Sequence, residues 1–476
     1  LKKKIQTAFL FIVIMALTIV SACSPGDSGS KKAFPAYNKD EKVTLKITYW
    51  DEHSFYQNLG NLFISQFPNI DFEIVSTAGV FNGDGTNPTD AFKKLVAEKQ
   101  PDILMLDSMF FKPLKDDGLL YELDSVMEQD GFSTEGILPA AMKKMRDLGD
   151  GKLYGLAPTF SSNVLFYNKK LFDQYGIPHP QDNMTWEEIM LLAERFPTDG
   201  TGENRVYGIQ AGMGSSFNTL IRFGMDNDLS YIDFSSNKLT LNTDSWKKVA
   251  EKTLRIAKSK ATYEPERNSG QSMNYEDYLR RDLFTTGKVA MNISGPYYMN
   301  QLKEASSVLG EEAVSDWDMV TVPVHEGMPK ETSSFFLQDI FSINAKSPHL
   351  AAAWEFVKYV NSDAMGKVFA RSPVLGGLPV RTEYLQNPSG KHMEAFYLLP
   401  PKENDVYSTY EALPRQFDLE FLPLAEKHWN ALVKGDLTLE ETLRLIETEG
   451  QALLDDAIEK EAAEAKAKEQ EPKPQS

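Results

Sequence analysis

Between residues 43 and 107 the chain alternates strand-like and helix-like runs, and this alternation restricts the architecture more than any other feature. Val43 to Trp50 alternates apolar and polar side chains, Leu59 to Phe67 has helical spacing, and Phe72 to Ser76 is again strand-like. Ala91 to Glu98 is helical, and Pro101-Asp102-Ile103-Leu104-Met105-Leu106 reads as a buried strand ending at Asp107. A β-α-β-α-β order predicts a parallel sheet covered by helices. Ligands of such sheets sit beyond the carboxyl ends of the strands. Trp50-Asp51-Glu52 and Asp107-Ser108 therefore lie at the edge where a site would form.

A second α/β section follows Tyr154. Leu165-Phe166-Tyr167 is strand-like and Lys169 to Tyr175 a short helix. Thr185-Trp186-Glu187-Glu188 opens another helix as a capping box, with Thr185 as the cap and Glu188 returning the bond, and Trp186 is read as packing. Val289 to Ile293 and Trp317 to Val322 are further strands, while Ala351 to Val360 and Leu437 to Ala457 are amphipathic helices.

The 476 residues, 42% of them hydrophobic, supply core for more than one domain. Acidic residues outnumber basic ones by 68 to 50, and the resulting surface repels nucleic-acid phosphates, so no nucleic-acid partner is expected. A single cysteine excludes an internal disulfide or a thiolate metal cluster. The histidines (His53, His179, His325, His349, His392 and His428) show no metal-ligand spacing. Gly212-Met213-Gly214-Ser215-Ser216 lacks the closing glycine of a nucleophile elbow, and Asn82-Gly83-Asp84-Gly85-Thr86 lacks the calcium-loop register and reads as a loop. No metal, cofactor or catalytic residue is predicted. Paired carboxylates for glycoside hydrolysis stay open, because their separation of ~5–10 Å is a three-dimensional property. Asp51, Glu52 and Asp107 are the set that the strand order brings together.

The amino-terminal segment reads as a removable signal. Lys2, Lys3 and Lys4 precede an apolar run from Ala8 to Val20 and the small residues Ser21 and Ala22. Val20-Ser21-Ala22-Cys23 resembles the lipobox of bacterial lipoproteins, which implies lipidation of Cys23 and cleavage before it. Residues 23–42 then form a flexible tether rich in Ser, Gly, Pro and Lys, and residues 459–476 a charged tail that extends the last helix.

Four stretches resemble the extracellular solute-binding proteins of ABC importers, the group that includes maltose-binding protein. They are Pro101-Asp102-Ile103-Leu104 leading to Gly118-Leu119-Leu120; Gly151-Lys152-Leu153-Tyr154-Gly155-Leu156 with Leu165 to Lys169 and the capping box; Phe284 to Met291 with Gly295-Pro296-Tyr297-Tyr298; and Ser347 to Val360 with Leu378-Pro379-Val380-Arg381. The resemblance implies an α/β fold of the two-lobe periplasmic-binding-protein type, with discontinuous lobes joined by a hinge. Lobe 1 would span 43–157 plus 325–380, and lobe 2 160–322 plus 385–458. Crossings would fall near Ala157-Pro158-Thr159, Thr321-Val322-Pro323 and Leu378-Pro379.

Carried over residue by residue, the resemblance implies that Tyr297 stands at the aromatic position of the family's "GPW" motif, with Tyr298 beside it. Trp50, Asp51 and Glu52 match the loop after the first strand, and Asp107, Ser108 and Phe110 the loop after the third; Asp107 has helix capping as its competing role. Ser161 and Asn163 match the floor of the cleft, and Ser215, Ser216 and Asn218 a second-lobe wall. Phe336 and Gln338 stand where the family often has a glycine-rich stretch. Phe417 and Phe421 are late aromatic candidates, with core packing the alternative. The implied function is a lipid-anchored, monomeric receptor on the outer face of the membrane that closes on a small polar ligand, a carbohydrate first among classes, and delivers it to ABC permease subunits. Peptides, polyols and polyamines are the other ligand classes. The competing functions are a sensing or adhesive surface lipoprotein and a tethered glycan-degrading enzyme.

Overall fold

The structure, a computed structural model, describes residues 34–81, 87–200, 205–210, 215–263, 273–328, 330–371, 377–385, 390–402, 410 and 413–470. The signal-like segment 1–22, Cys23, most of the tether, Asn82 to Thr86 and Gly212 to Gly214 lie outside the described residues. The chain divides into two units, residues 1–38 and 39–476; of the first, residues 34–38 are described and carry no regular secondary structure.

The second unit holds three main sheets. Its strands are β1 (Val43–Tyr49), β2 (Ile70–Ser76), β3 (Ile103–Leu106), β4 (Thr159–Ser161), β5 (Val164–Asn168), β6 (Tyr207–Gln210), β7 (Ile232–Asp233), β8 (Lys238–Leu239), β9 (Val289–Ser294), β10 (Trp317–Thr321), β11 (Phe336–Gln338), β12 (Ile340–Ile343) and β13 (Leu378–Pro379). The first sheet has the order β12-β3-β1-β2. As the sequence predicts, β1 runs parallel to β2 and β3, whereas β12 closes the edge antiparallel to β3. In the second sheet, ordered β10-β5-β9-β6, β5 runs antiparallel to both neighbours. β7 and β8 form a separate short hairpin.

The third sheet, β11-β4-β13, connects the other two and gives the two-lobe fold its continuity. β4 leads within a few residues into β5 of the second sheet, and β11 into β12 of the first. Between β11 and β12 stands Asp339, held at φ 53°, a left-handed conformation that an aspartate adopts at a modest cost. Thr159 and Leu378-Pro379, at two of the expected crossings, fall in this connecting sheet.

Each lobe has its own core. On the first sheet, Phe356 of the helix Leu350–Val360 packs against Phe55, Phe63, Phe72 and Phe341 with ring centroids 5.1–6.1 Å apart. Buried Asp102 locks the return of the chain: it accepts from Lys46 N at 2.8 Å and from Ser347 Oγ at 2.5 Å. Arg381, ending the "LPVR" turn, donates to Asn361 O and Glu135 O and joins three separated segments. The second core gathers Trp246, Trp429, Phe217 and Phe421 among others. There Gly224 is required by close approach, since a Cβ would lie 2.0 Å from the Trp246 ring.

The capping box forms as predicted, with Thr185 and Glu188 exchanging bonds and Trp186 buried. The expected helix at 59–67 begins earlier, at Glu52, because Asp51 caps it; a π-helical stretch follows at Tyr56–Gly60, before Asn61–Gln66. The last helix, Leu439–Gln470, takes in the predicted 437–457 run and continues into the charged residues beyond it.

Candidate functional site

The carboxyl ends of β1 and β3 and the start of β12 meet at one edge of the first sheet. Asp51 follows β1, Asp107 follows β3, and Asp339 precedes β12. Because Ile340 pairs with Leu106, the antiparallel register sets Asp339 opposite Asp107. Asp51 and Asp107 are both helix N-caps. Asp51 accepts from Ser54 N at 2.8 Å and Ser54 Oγ at 2.6 Å, and these bonds hold its pKa below the usual carboxylate range. Asp107 accepts from Phe110 N at 3.2 Å. Protein atoms crowd this carboxylate although the residue stays open to solvent, and that partial desolvation raises its pKa. Asp339 is pushed up to about 6 by burial, with the Asp107 charge adding to the effect. Tyr49, buried below them, is pushed up to about 12 by the same desolvation. Trp50 stands beside this edge, 52% exposed.

A second group comes from the second sheet and the connecting sheet. A methyl group on Gly295 would lie 3.5 Å from Asn163 Oδ1, 3.6 Å from Ser161 Oγ and 3.7 Å from the Tyr297 ring. Four sequence candidates thus gather here, because Phe336 pairs with Ser161 across β11 and β4. Tyr297 and Phe336 are 57% and 41% exposed, so both present aromatic surface. Asn163 and Tyr297 also line a cavity of about 430 Å³. That volume is in the range of small-molecule sites.

Other candidates are placed in packing. Tyr298, next to exposed Tyr297, is buried and donates from its hydroxyl to Asp282 Oδ2 at 2.6 Å. Phe110 is buried and stacked on Phe92, with centroids 4.6 Å apart. Ser216 is buried and accepts from Trp429 Nε1 at 3.0 Å. Phe417 and Phe421 stack on each other in the second core. Ser215 caps the helix Ser216–Asp226 by accepting from Asn218 N, and both are half-buried. Glu52 is exposed in the first turn after Asp51, and Ser108 half-buried in the first turn after Asp107. Gln338 lies on the connecting sheet with its Oε1 buried and unbonded.

Sequence reasoning missed Asp339, Gln210 and Asn292. Asn292 and Gln210 line the cavity beside Tyr297, and the carboxamide oxygen of each is buried without a hydrogen-bond partner. Such orphaned acceptors are expensive unless something donates to them. One signal was available: Asn292 interrupts the apolar strand Val289-Ala290-Met291-Asn292-Ile293. The arrangement therefore sets carboxylates at one sheet edge and, in the other group, exposed aromatic rings beside covered carboxamide oxygens, which suits a ligand with hydroxyl or amino donors. Among the described residues no cluster of His, Cys, Asp and Glu is arranged to hold a metal ion, and no helix is long and apolar enough to cross a membrane.

Comparison with known proteins places this geometry in a family. Residues 25–367 match the family described as bacterial extracellular solute-binding protein, and the chain belongs to it. A binding protein of Brucella abortus (strain 2308) is 26% identical over 238 residues, 49% of this chain and 52% of its own. The chain thus spans about half the length of the curated relatives it matches. Among solved structures, an extracellular solute-binding protein family 1 member from Alicyclobacillus acidocaldarius superposes with a TM-score of 0.61 at 18% identity, covering 87% of this chain and 99% of that one. An ABC substrate-binding protein of Listeria monocytogenes, solved in complex with cycloalternan, gives a TM-score of 0.55 at 20% identity, again covering 87% and 99%.

Proposed function

From that membership we propose that the chain captures a carbohydrate, an oligosaccharide in the first instance, between its two lobes and hands it to the permease of an ABC importer. The observation that carries this reading is the pairing of exposed Tyr297 with the orphaned acceptors Asn292 and Gln210 in one cavity. A pyranose presents an apolar face to a ring, which exposed Tyr297 can take, and hydroxyl donors at its rim, which the Asn292 and Gln210 carboxamides take once their covered oxygens turn toward the cavity. Trp50, Asp51, Asp107 and Asp339 supply the matching contacts from the first lobe. A ligand touching both groups favours the closed arrangement over the open one, which is what turns binding into hinge closure. The cycloalternan complex of the Listeria protein supports the sugar class. The receptor works as a monomer, breaks no bond, and is held at the outer membrane face by acyl chains on Cys23.

Thermal unfolding of the soluble form beginning at Ser24, against sugars, oligosaccharides, peptides and polyamines, tests this. A ligand at 100 times its Kd stabilises by ~2.7 kcal/mol and should raise Tm by several degrees. A shift with one sugar class supports the reading, whereas shifts confined to peptides or polyamines reassign the ligand. The adjacent carboxylates Asp107 and Asp339 favour one alternative, glycan hydrolysis. Reducing-end release that disappears in Asp107→Asn would replace the receptor reading with that enzyme.

A further inference from the structure

The helix Tyr297–Leu309 has the cleft on one side of its first turn and a second cavity, of about 530 Å³, on another. The two share no lining residue. The second cavity is walled by this helix and Trp317 from the second lobe, and by Phe369, Arg371 and the connecting strand β13. Its charge is the reverse of the chain's. Among the described residues Lys303, Arg371 and Lys391 line it and no Asp or Glu does, in a protein with 68 acidic against 50 basic side chains. Among the described residues neither Lys303 nor Arg371 has a carboxylate within ion-pair distance, and both are exposed. The Lys391 ammonium lies 4.4 Å from the centroid of the Trp317 ring, with Asp316 and Asp318 acting on it from that strand. The remaining lining is mixed: half-buried Trp317 and Met299 present apolar surface beside Asn300, Ser306 and Ser307.

We propose that this cavity is a second binding site, separate from the sugar cleft, for an amphiphilic anion: a carboxylate or sulfonate head faces Lys303 and Arg371 while an apolar body covers the half-buried Trp317 and Met299. Lys303 and Arg371, exposed and without a carboxylate partner, favour an anion at little desolvation cost because they are open to water. The apolar lining rewards burial of a hydrocarbon or aromatic body. A purely inorganic anion would leave that surface wet, and a neutral lipid would leave the cations unused.

The test titrates the purified chain with 8-anilinonaphthalene-1-sulfonate, followed by fluorescence, and competes the probe with octanoate. The expected result is saturable binding of one probe per chain, displaced by octanoate and weakened at least tenfold in Lys303→Ala/Arg371→Ala. The reference variant Lys94→Ala/Lys248→Ala removes the same charge from exposed positions elsewhere and should change affinity less than twofold. Equal weakening in both double variants would reduce the effect to surface charge and overturn the proposal. So would the absence of saturable binding, or loss of the probe in Tyr297→Ala, which would move it to the cleft. None of these outcomes bears on sugar capture, so the two proposals fail independently.

Discussion

The two walls of the proposed cleft carry hydrogen-bonding capacity in different chemical forms. The first-sheet edge uses carboxylates, Asp51, Asp107 and Asp339, at strand ends where two of them also cap helices. The second wall uses neutral carboxamides, Asn292 and Gln210, sunk below an exposed tyrosine. Burial explains the division. A carboxylate at an open edge stays hydrated in the free protein, whereas an unpaired charge at the depth of Asn292 would cost several kcal/mol. The acceptors that are buried are the uncharged ones. Asp339 is the intermediate case, and its raised pKa records the strain of that position.

The adjacent tyrosines give the sharpest test of where wall ends and core begins. Tyr298→Ala removes a buried ring and leaves Asp282 without its hydroxyl donor, so a loss of ~3–5 kcal/mol is expected in denaturant unfolding. Tyr297→Ala should leave stability within ~0.5 kcal/mol but weaken binding of the identified ligand by about ten- to a hundredfold in calorimetry. If both variants lose stability equally, Tyr297 belongs to the core and the second wall needs redrawing.

Asp339→Asn probes the first wall. Its folded pKa of about 6 lies above the ordinary 3.8, so ionising it costs stability that is absent at pH 3 and fully felt by pH 7. Replacing it should therefore stabilise the protein at pH 7 by ~1–2 kcal/mol, an advantage that shrinks as pH falls from 6 to 4. Urea midpoints of both proteins at pH 4.5 and 7 measure this, and a pH-independent difference would remove Asp339 from the charged edge. The smallest effect belongs to Trp50→Ala, which should change stability by no more than ~0.5 kcal/mol because half of the ring already meets water. A several-degree fall in Tm would show that Trp50 packs into the first lobe.

The sequence made the first sheet legible because β1, β2 and β3 follow one another with helices between, and periodicity is a local signal. The capping box was legible for the same reason. The connecting sheet was not: β4, β11 and β13 have two or three residues each and pair across more than 170 positions of chain, as Phe336 does with Ser161. Asp339 gains its meaning only from the register that sets it against Asp107. The helix Arg415–Lys434 was hidden by Pro423, which reads as a break yet lies within it. The motif singled out both Tyr297 and Tyr298, whereas which of the two faces outward was settled by the helix face.

The edge position of β12 bears on how the protein is made. β12 pairs with β3 across 234 residues of chain where Ile340 meets Leu106. During synthesis, β3 therefore waits with an open backbone edge while β4 to β11 emerge from the ribosome. Contacts of such long range are slow to form, and unpaired strand edges invite aggregation. A chain whose first sheet closes only when β12 arrives keeps an open strand edge, and so a threadable segment, for longer than one whose sheets are completed in series.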